Sequence, residues 1–524
     1  MSVLRNTSVV GAMTFLSRLS GMVRDQVYSV MFGAGPLMDA FLVAFKIPNF
    51  LRRITGEGAF SQAFVPIVAE YRQKNTAEEQ RELIAGVMGT FGVVLAAMTA
   101  VGVIAAPLVI LLFAPGFDPG GDRHALAESM LRWTFPYIFF ISLTALAGGV
   151  VNSYGRFGAA AFNPVLLNLV MIVAAAFVAP RCAQPGLALA GGVFVAGGVQ
   201  LAMQLWGLKR AGLLRRPQFT LVHEGVRRVG KLMLPGIFGS SVAQISLLLD
   251  TWIASFLATG SIAWMYYADR LVEFPMGVFS IALATVILPG LSAHHAAASP
   301  ERFNTMLDWA LRMVFLVTVP AAVALFTLAG PLCATIYGYG KFHTNDVTMA
   351  SYALMTYSLG LLAFSLVKVL APGYFARQDT RTPVRVGMIS LGVNIGFNLL
   401  VVAPAAYAGL PAPHAMLAFS TGLGATVNAF LLWRGLRKQG VYQPEMARWR
   451  RLVVQLLLAN VAMGAFLWWF GGDWAAWTTW SWSARVLRLG LCVVGGLAIY
   501  AAVLLATGLR PAHLRLPVAQ PAGT

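Results

Sequence analysis

Apolar stretches of about 20 residues recur from one end of this chain to the other, each long enough to cross a hydrocarbon layer of roughly 30 Å. Lipid offers backbone N–H and C=O groups no water, so such stretches must be helices or strands of a closed barrel, and a strand needs only about 10 residues. Runs of twice that length read as helices. The chain has 524 residues, 58% of them hydrophobic and 11% charged, where a soluble domain carries roughly 25% charged residues. The expected fold is therefore an all-α polytopic membrane protein of about 14 transmembrane helices. Spans fall near 7–32, 36–66, 84–113, 130–152, 160–179, 186–208, 230–258, 264–292, 308–335, 348–372, 383–404, 413–436, 451–470 and 486–508. The first holds Arg18, Arg24 and Asp25 and lacks the compact apolar core of a cleavable signal, so it reads as a retained helix.

A net charge of +18 raises the question of nucleic acid, but the basic residues lie in short loops and form no single patch, which argues against such a partner. They recur in alternate loops: Arg72, Lys74 and Arg81; then Lys209 through Lys231; then Arg377, Arg381 and Arg385; then Arg434 through Arg451. The positive-inside rule makes those loops, and both termini, cytoplasmic. Trp468, Trp469, Trp474, Trp477, Trp480 and Trp482 crowd the turn between the last two spans, as a periplasmic interfacial belt would. Cys182, Cys333 and Cys492 are too dispersed for a disulfide framework or a zinc site, and no metal site is expected. His294-His295 reads as a plain loop.

Laid over itself with a shift of about 220–227 residues, the chain shows a weak repeat of the kind found in many transporters. Gly11, Asp25 and Gly35 fall on Gly236, Asp250 and Gly260; Tyr154 and Arg156 echo Tyr374 and Arg377. The expected organisation is a six-helix lobe over 1–222, a second over 223–440 in parallel orientation, and an extra helix pair with a short tail over 441–524. Gly148-Gly149, Gly191-Gly192 and Gly197-Gly198 suit close helix contact.

Ionisable groups inside spans are the informative feature, because each costs about 2.5–3.5 kcal/mol at mid-helix and persists mainly when facing protein or water. They concentrate in three spans: Ser17, Arg18, Arg24 and Asp25 in the first; Asp39, Lys46, Arg52, Arg53 and Glu57 in the second; Asp269, Arg270 and Glu273 in the eighth. Pro48, Pro66 and the glycines around Glu57 suggest an irregular second span. Arginines that snorkel from helix ends and complete local ion pairs are one reading. The other is a hydrated pocket with an excess of guanidinium, whose planar fork and permanent charge suit phosphate on a lipid whose tail stays in the bilayer.

The segments Ser17-Arg18-Leu19-Ser20-Gly21, Arg24-Asp25, Asp39-Ala40-Phe41, Phe45-Lys46-Ile47-Pro48-Asn49 and Gly56-Glu57-Gly58-Ala59-Phe60 closely resemble the MurJ (MviN) lipid II flippases of the multidrug/oligosaccharidyl-lipid/polysaccharide exporter superfamily. Tyr267-Ala268-Asp269-Arg270-Leu271, Glu273-Phe274-Pro275 and Asp379-Thr380-Arg381-Thr382-Pro383 continue the match. The resemblance implies alternating access by two lobes that move lipid II across the bacterial inner membrane during peptidoglycan synthesis, with lipid II, membrane lipids and other cell-wall synthesis proteins as partners. It implies that Arg18, Arg24, Arg52 and Arg270 engage the head group, that Ser17, Asp25, Asp39, Lys46 and Glu57 belong to the cavity or its gate, and that the last two spans hold the lipid tail. The sequence has no GxxxxGK[ST] motif, so a transporter rather than an enzyme is expected, without catalytic residues or cofactor, coupled to Na or H ions or to the membrane potential. Asp250 and Asp379 are the candidates for ion coupling, with a capping role as the alternative. A multidrug exporter, which would favour acidic and aromatic cavities, and a membrane-embedded glycosyltransferase are the competing functions.

Overall fold

The computed structural model describes residues 2–53, 61–155, 157–277 and 281–510. Glu57 and Arg156, with the expected irregularity around Glu57, lie outside the described residues. Contacts divide the chain into two units, Met1–Ala263 and Trp264–Thr524. Among the described residues there is no strand.

The first unit holds α1 (Ser2–Phe32), α2 (Pro36–Arg52), α3 (Ser61–Lys74), α4 (Ala77–Ile104), α5 (Ala106–Phe113), α6 (Asp122–Thr134), α7 (Tyr137–Ser153), α8 (Phe157–Val173), α9 (Pro185–Arg210) and α10 (Glu224–Ser255). The helix α11 (Ser261–Pro275) begins there. The second unit continues with α12 (Ile281–Ala296), α13 (Pro300–Thr327), α14 (Ala329–Ile336), α15 (Thr344–Phe375), α16 (Arg381–Phe397), α17 (Ala403–Tyr407), α18 (Pro413–Lys438), α19 (Met446–Gly471), α20 (Trp474–Thr479) and α21 (Trp482–Ala506).

Ten helical stretches among the described residues are long and apolar enough to cross a membrane, and they coincide with ten of the spans read from sequence. The other four expected spans contain helices among their described residues and carry most of the chain's intramembrane charge. These are the first (α1), the second (α2 and α3), the seventh (α10) and the eighth (α11 and α12). Pro48 and Pro66 both sit inside helices, α2 and α3.

The weak sequence repeat is plain in the helices. The helices α4 and α13 each have 28 residues, α5 and α14 each have 8, and α9 and α18 each have 26. The 17-residue helices α8 and α16 each run into a five-residue π-helical turn, Ala174–Val178 and Asn398–Val402. Both α9 and α18 stop the same way: Gly212 (φ 70) and Gly440 (φ 69) turn left-handed, and Leu213 and Val441 donate back to Leu208 and Leu436. Each unit has its own core on matching elements: Phe64, Leu83, Val150 and Leu208 in the first; Ile287, Leu307, Val369 and Leu436 in the second. The contact boundary follows α10 rather than the repeat, because α10 packs on α3, α4 and α5.

Glycines set the closest approaches, as expected where lipid supplies no hydrophobic drive between helices. One glycine of each of two pairs is tight: a Cβ on Gly192 would meet Ala174 at 2.7 Å, and one on Gly197 would meet Tyr137 and Phe140 at 2.9 Å. Two expectations need correction. His294 and His295 lie in the last turn of α12, not in a loop, because the alanine-rich end carries the helix to Ala296, short of the left-handed Ala298. Trp477 is not part of an interfacial belt: it is fully buried in α20 and donates to the Gly471 carbonyl at 2.7 Å, whereas Trp468, Trp469 and Trp482 are exposed.

Candidate functional site

The first helix places Ser17 and Arg18 in half-buried positions and carries Arg24 and Asp25 into the interior, at 8% and 1% exposure. A lone guanidinium there would be costly; it is met by the next residue. Arg24 Nε and Nη2 donate to Asp25 Oδ1 at 2.9 and 2.7 Å, and Nη1 donates to Asn168 Oδ1 of α8 at 2.9 Å. The same guanidinium lies 5.5 Å from the centre of the Tyr28 ring. Asn168 in turn donates to the Ser17 carbonyl and the Ser20 hydroxyl, both at 3.0 Å. The α1–α8 seam is thus closed by one amide that serves Arg24 with its oxygen and the α1 backbone with its nitrogen.

The polar stripe of α2 is spent on the end of α10 and the start of α11. Asp39, 1% exposed, accepts from the backbone N–H of Gly260 at 2.7 Å and of Ala263 at 2.9 Å. A carboxylate across the first N–H groups of a helix is favoured by both their unsatisfied hydrogens and the helix dipole. Two turns on, Lys46 donates to the hydroxyl of Thr251, beside buried Asp250. Nearby, Gly116 N–H donates to Ser255 Oγ at 3.0 Å, and a Cβ on Gly116 would come within 2.4 Å of the Ser255–Phe256 backbone. Residues from α2 and from the α5–α6 loop therefore clasp the α10–α11 turn. Arg52 Nε donates to Asn49 Oδ1 at 3.3 Å.

In the second unit Arg270 pairs with Glu273 at 2.6 Å, each side chain 37% exposed, and lies 4.9 Å from the Tyr266 ring centre. Two of the four head-group candidates, Arg24 and Arg270, thus carry a carboxylate. Asp379 receives the Thr382 N–H at 3.0 Å and the Thr382 hydroxyl at 2.6 Å at the head of α16, the geometry of a capping carboxylate. Those two donors hold its carboxyl below the usual carboxylate range. Among the described residues no group of His, Cys, Asp and Glu side chains could hold a metal ion.

Sequence reasoning missed Asn168, Thr251 and the Gly260 and Ala263 amides. Asn168 had a signal, being a polar side chain within an apolar span; backbone donors have none. It also passed over Arg485, 6% exposed, which donates to the carbonyls of Ala334, Gly338, Thr478 and Trp480 at 2.6–3.0 Å. That arginine ties α14 to α20 without any acid, so a buried guanidinium in this fold is not in itself an anion site.

A family model described as lipid II flippase MurJ matches residues 28–487. The probable lipid II flippase MurJ of Haemophilus influenzae is 45% identical over 515 residues, covering 96% of this chain and 99% of that protein. The lipid II flippase MurJ of Burkholderia cenocepacia is 42% identical over 522 residues, with 98% and 99% covered. Among solved structures, a lipid II flippase MurJ in an inward closed conformation superposes with a TM-score of 0.78 at 23% identity, covering 94% of this chain and 97% of that one. An inward-facing multidrug resistance MATE family transporter of the MOP superfamily follows at 0.67 and 15% identity, with 83% and 98% covered. Those two likenesses concern the fold alone.

Proposed function

Since the chain belongs to the lipid II flippase MurJ family, we propose that it carries lipid II, the undecaprenyl-pyrophosphate-linked peptidoglycan precursor, from the cytoplasmic to the periplasmic leaflet of the bacterial inner membrane. The observation that supports this reading beyond family membership is the concentration of intramembrane charge in α1, α2 and α11, in a chain most of whose other spans carry little. The lobes 1–222 and 223–440 alternate access to a cavity, and the pair over 441–524 accommodates the polyprenyl tail. Arg18, Arg24, Arg52 and Arg270 engage the anionic head. At Arg24 a pyrophosphate oxygen displaces the neutral Asn168 amide from Nη1, exchanging one charge-assisted hydrogen bond for another while Nε and Nη2 keep Asp25 paired. Asp39 and Lys46 act as the gate: release of the Gly260, Ala263 and Thr251 contacts frees the α10–α11 turn, which the positive-inside pattern puts on the periplasmic side. Coupling falls to a cation or to the membrane potential, with Asp250 the better-placed candidate, because Asp379 is engaged as a cap.

The test is leaflet-resolved lipid II in cells depleted of the wild-type protein and supplied with Arg18→Ala, Arg24→Ala or Arg270→Ala at matched expression. Accumulation of lipid II in the cytoplasmic leaflet is expected in each; normal movement in all three variants overturns the head-group assignment.

A further inference from the structure

Asn168 holds a position at the site that the transport reading leaves without a role. It is 5% exposed inside the apolar helix α8, and every polar hydrogen of its amide is used, toward the Ser17 carbonyl and the Ser20 hydroxyl. Its oxygen accepts from Arg24 Nη1. The orientation of the amide is fixed by chemistry, because only the NH2 group can serve a carbonyl and only the oxygen can serve a guanidinium. On α1 the approach is close: a Cβ on Gly21 would lie 3.5 Å from Asn168 Nδ2. One side chain therefore joins the charge state of Arg24 to the backbone of α1 a full turn and more away.

We propose that Asn168 is a positioning residue that reports occupation of Arg24 to the α1–α8 seam. With the site empty, Arg24 polarises the amide, and a polarised amide donates more strongly to Ser17 and Ser20, so the seam is closed. When an anionic oxygen takes over Arg24 Nη1, Asn168 Oδ1 loses its cationic donor. The amide then holds α1 less firmly, and the seam is released only in the loaded state. This couples the outward movement of α1 to cargo. The inference rests on the head-group reading of Arg24.

The experiment uses the purified full-length chain in vesicles containing lipid II, with lipid II affinity and flipping rate measured separately for wild type, Asn168→Ala, Asn168→Asp and Arg24→Ala. For Asn168→Ala the expected result is lipid II binding at least threefold tighter than wild type, because an anionic oxygen no longer has to displace the amide from Arg24, with a flipping rate that does not fall. For Asn168→Asp, which keeps the size, the second oxygen faces the Ser17 carbonyl while the new charge holds Arg24. Affinity is expected to fall about tenfold, and the vesicles to show a pH dependence of the rate that differs from that of wild type. The aspartate variant also serves if the alanine variant is not recovered folded. Parallel loss of binding and rate in Asn168→Ala, or no change in either, overturns the coupling, as does an aspartate variant that behaves like wild type. Failure of the underlying reading looks different: Arg24→Ala would then bind lipid II as wild type does, whereas failure of the coupling alone leaves Arg24→Ala defective.

Discussion

Arg24 shows how a charge can be kept inside an apolar bundle without being idle. Its neighbour supplies the neutralising carboxylate and a distant helix supplies the amide, so all three guanidinium nitrogens have partners. Removing one member of a buried ion pair costs about 3–5 kcal/mol, because the remaining charge is left in low dielectric. Asp25→Ala is therefore expected to destabilise the protein by that order, read as a lowered midpoint of unfolding in detergent, with Asp25→Ala/Arg24→Leu recovering most of the loss. A double variant no more stable than Asp25→Ala would contradict the pairing. Arg24→Lys keeps the charge but loses the fork that reaches Asp25 and Asn168 together, and at least a tenfold loss of lipid II movement is expected in the leaflet assay. Wild-type movement by that variant would reduce the role to positive charge alone.

At the scale of helices, glycine contacts and caps fix the geometry. A Cβ on Gly360 of α15 would lie 2.7 Å from the Gly422 Cα of α18, backbone against backbone. Gly360→Val is expected to cost about 1–3 kcal/mol by overpacking, seen as a lower unfolding temperature. Asp379 caps α16, and Asp379→Ala is expected to cost about 1 kcal/mol at neutral pH. Because its carboxyl is held below the usual range in the folded protein, that contribution is present above the unfolded pKa and withdrawn as pH falls through the folded one. The stability gap between wild type and Asp379→Ala should therefore narrow on acidification; a widening gap would contradict the cap. The helices themselves were legible, since hydropathy located the ten clear spans and charge marked the other four. The clasp on the α10–α11 turn was not. The seven-residue spacing put Asp39 and Lys46 on one face but could not name their targets, two of which are backbone amides. The belt reading of the tryptophans failed at Trp477 for a related reason: a fold-back that buries one ring leaves no periodic trace in so short a helix.

At the scale of the whole chain, helices of matching length recur in the two halves. Equal helix lengths, two π-helical turns and two matching glycine stops repeat across halves whose residues have largely diverged. What the halves do not share is the arginine pair of α1: Ala243 and Leu249 occupy the repeat positions of Arg18 and Arg24. This asymmetry was readable from residues alone; the saturation of Arg24 by Asn168 was not, because a single asparagine in an apolar run announces no partner. The most direct measurement is lipid II translocation by the purified chain alone in sealed vesicles, scored by protection of the head group from an external probe. Wild type is expected to equilibrate lipid II between leaflets and Arg24→Ala to remain near the protein-free rate. Wild-type vesicles no faster than protein-free ones, or an Arg24→Ala rate equal to wild type, would contradict the account.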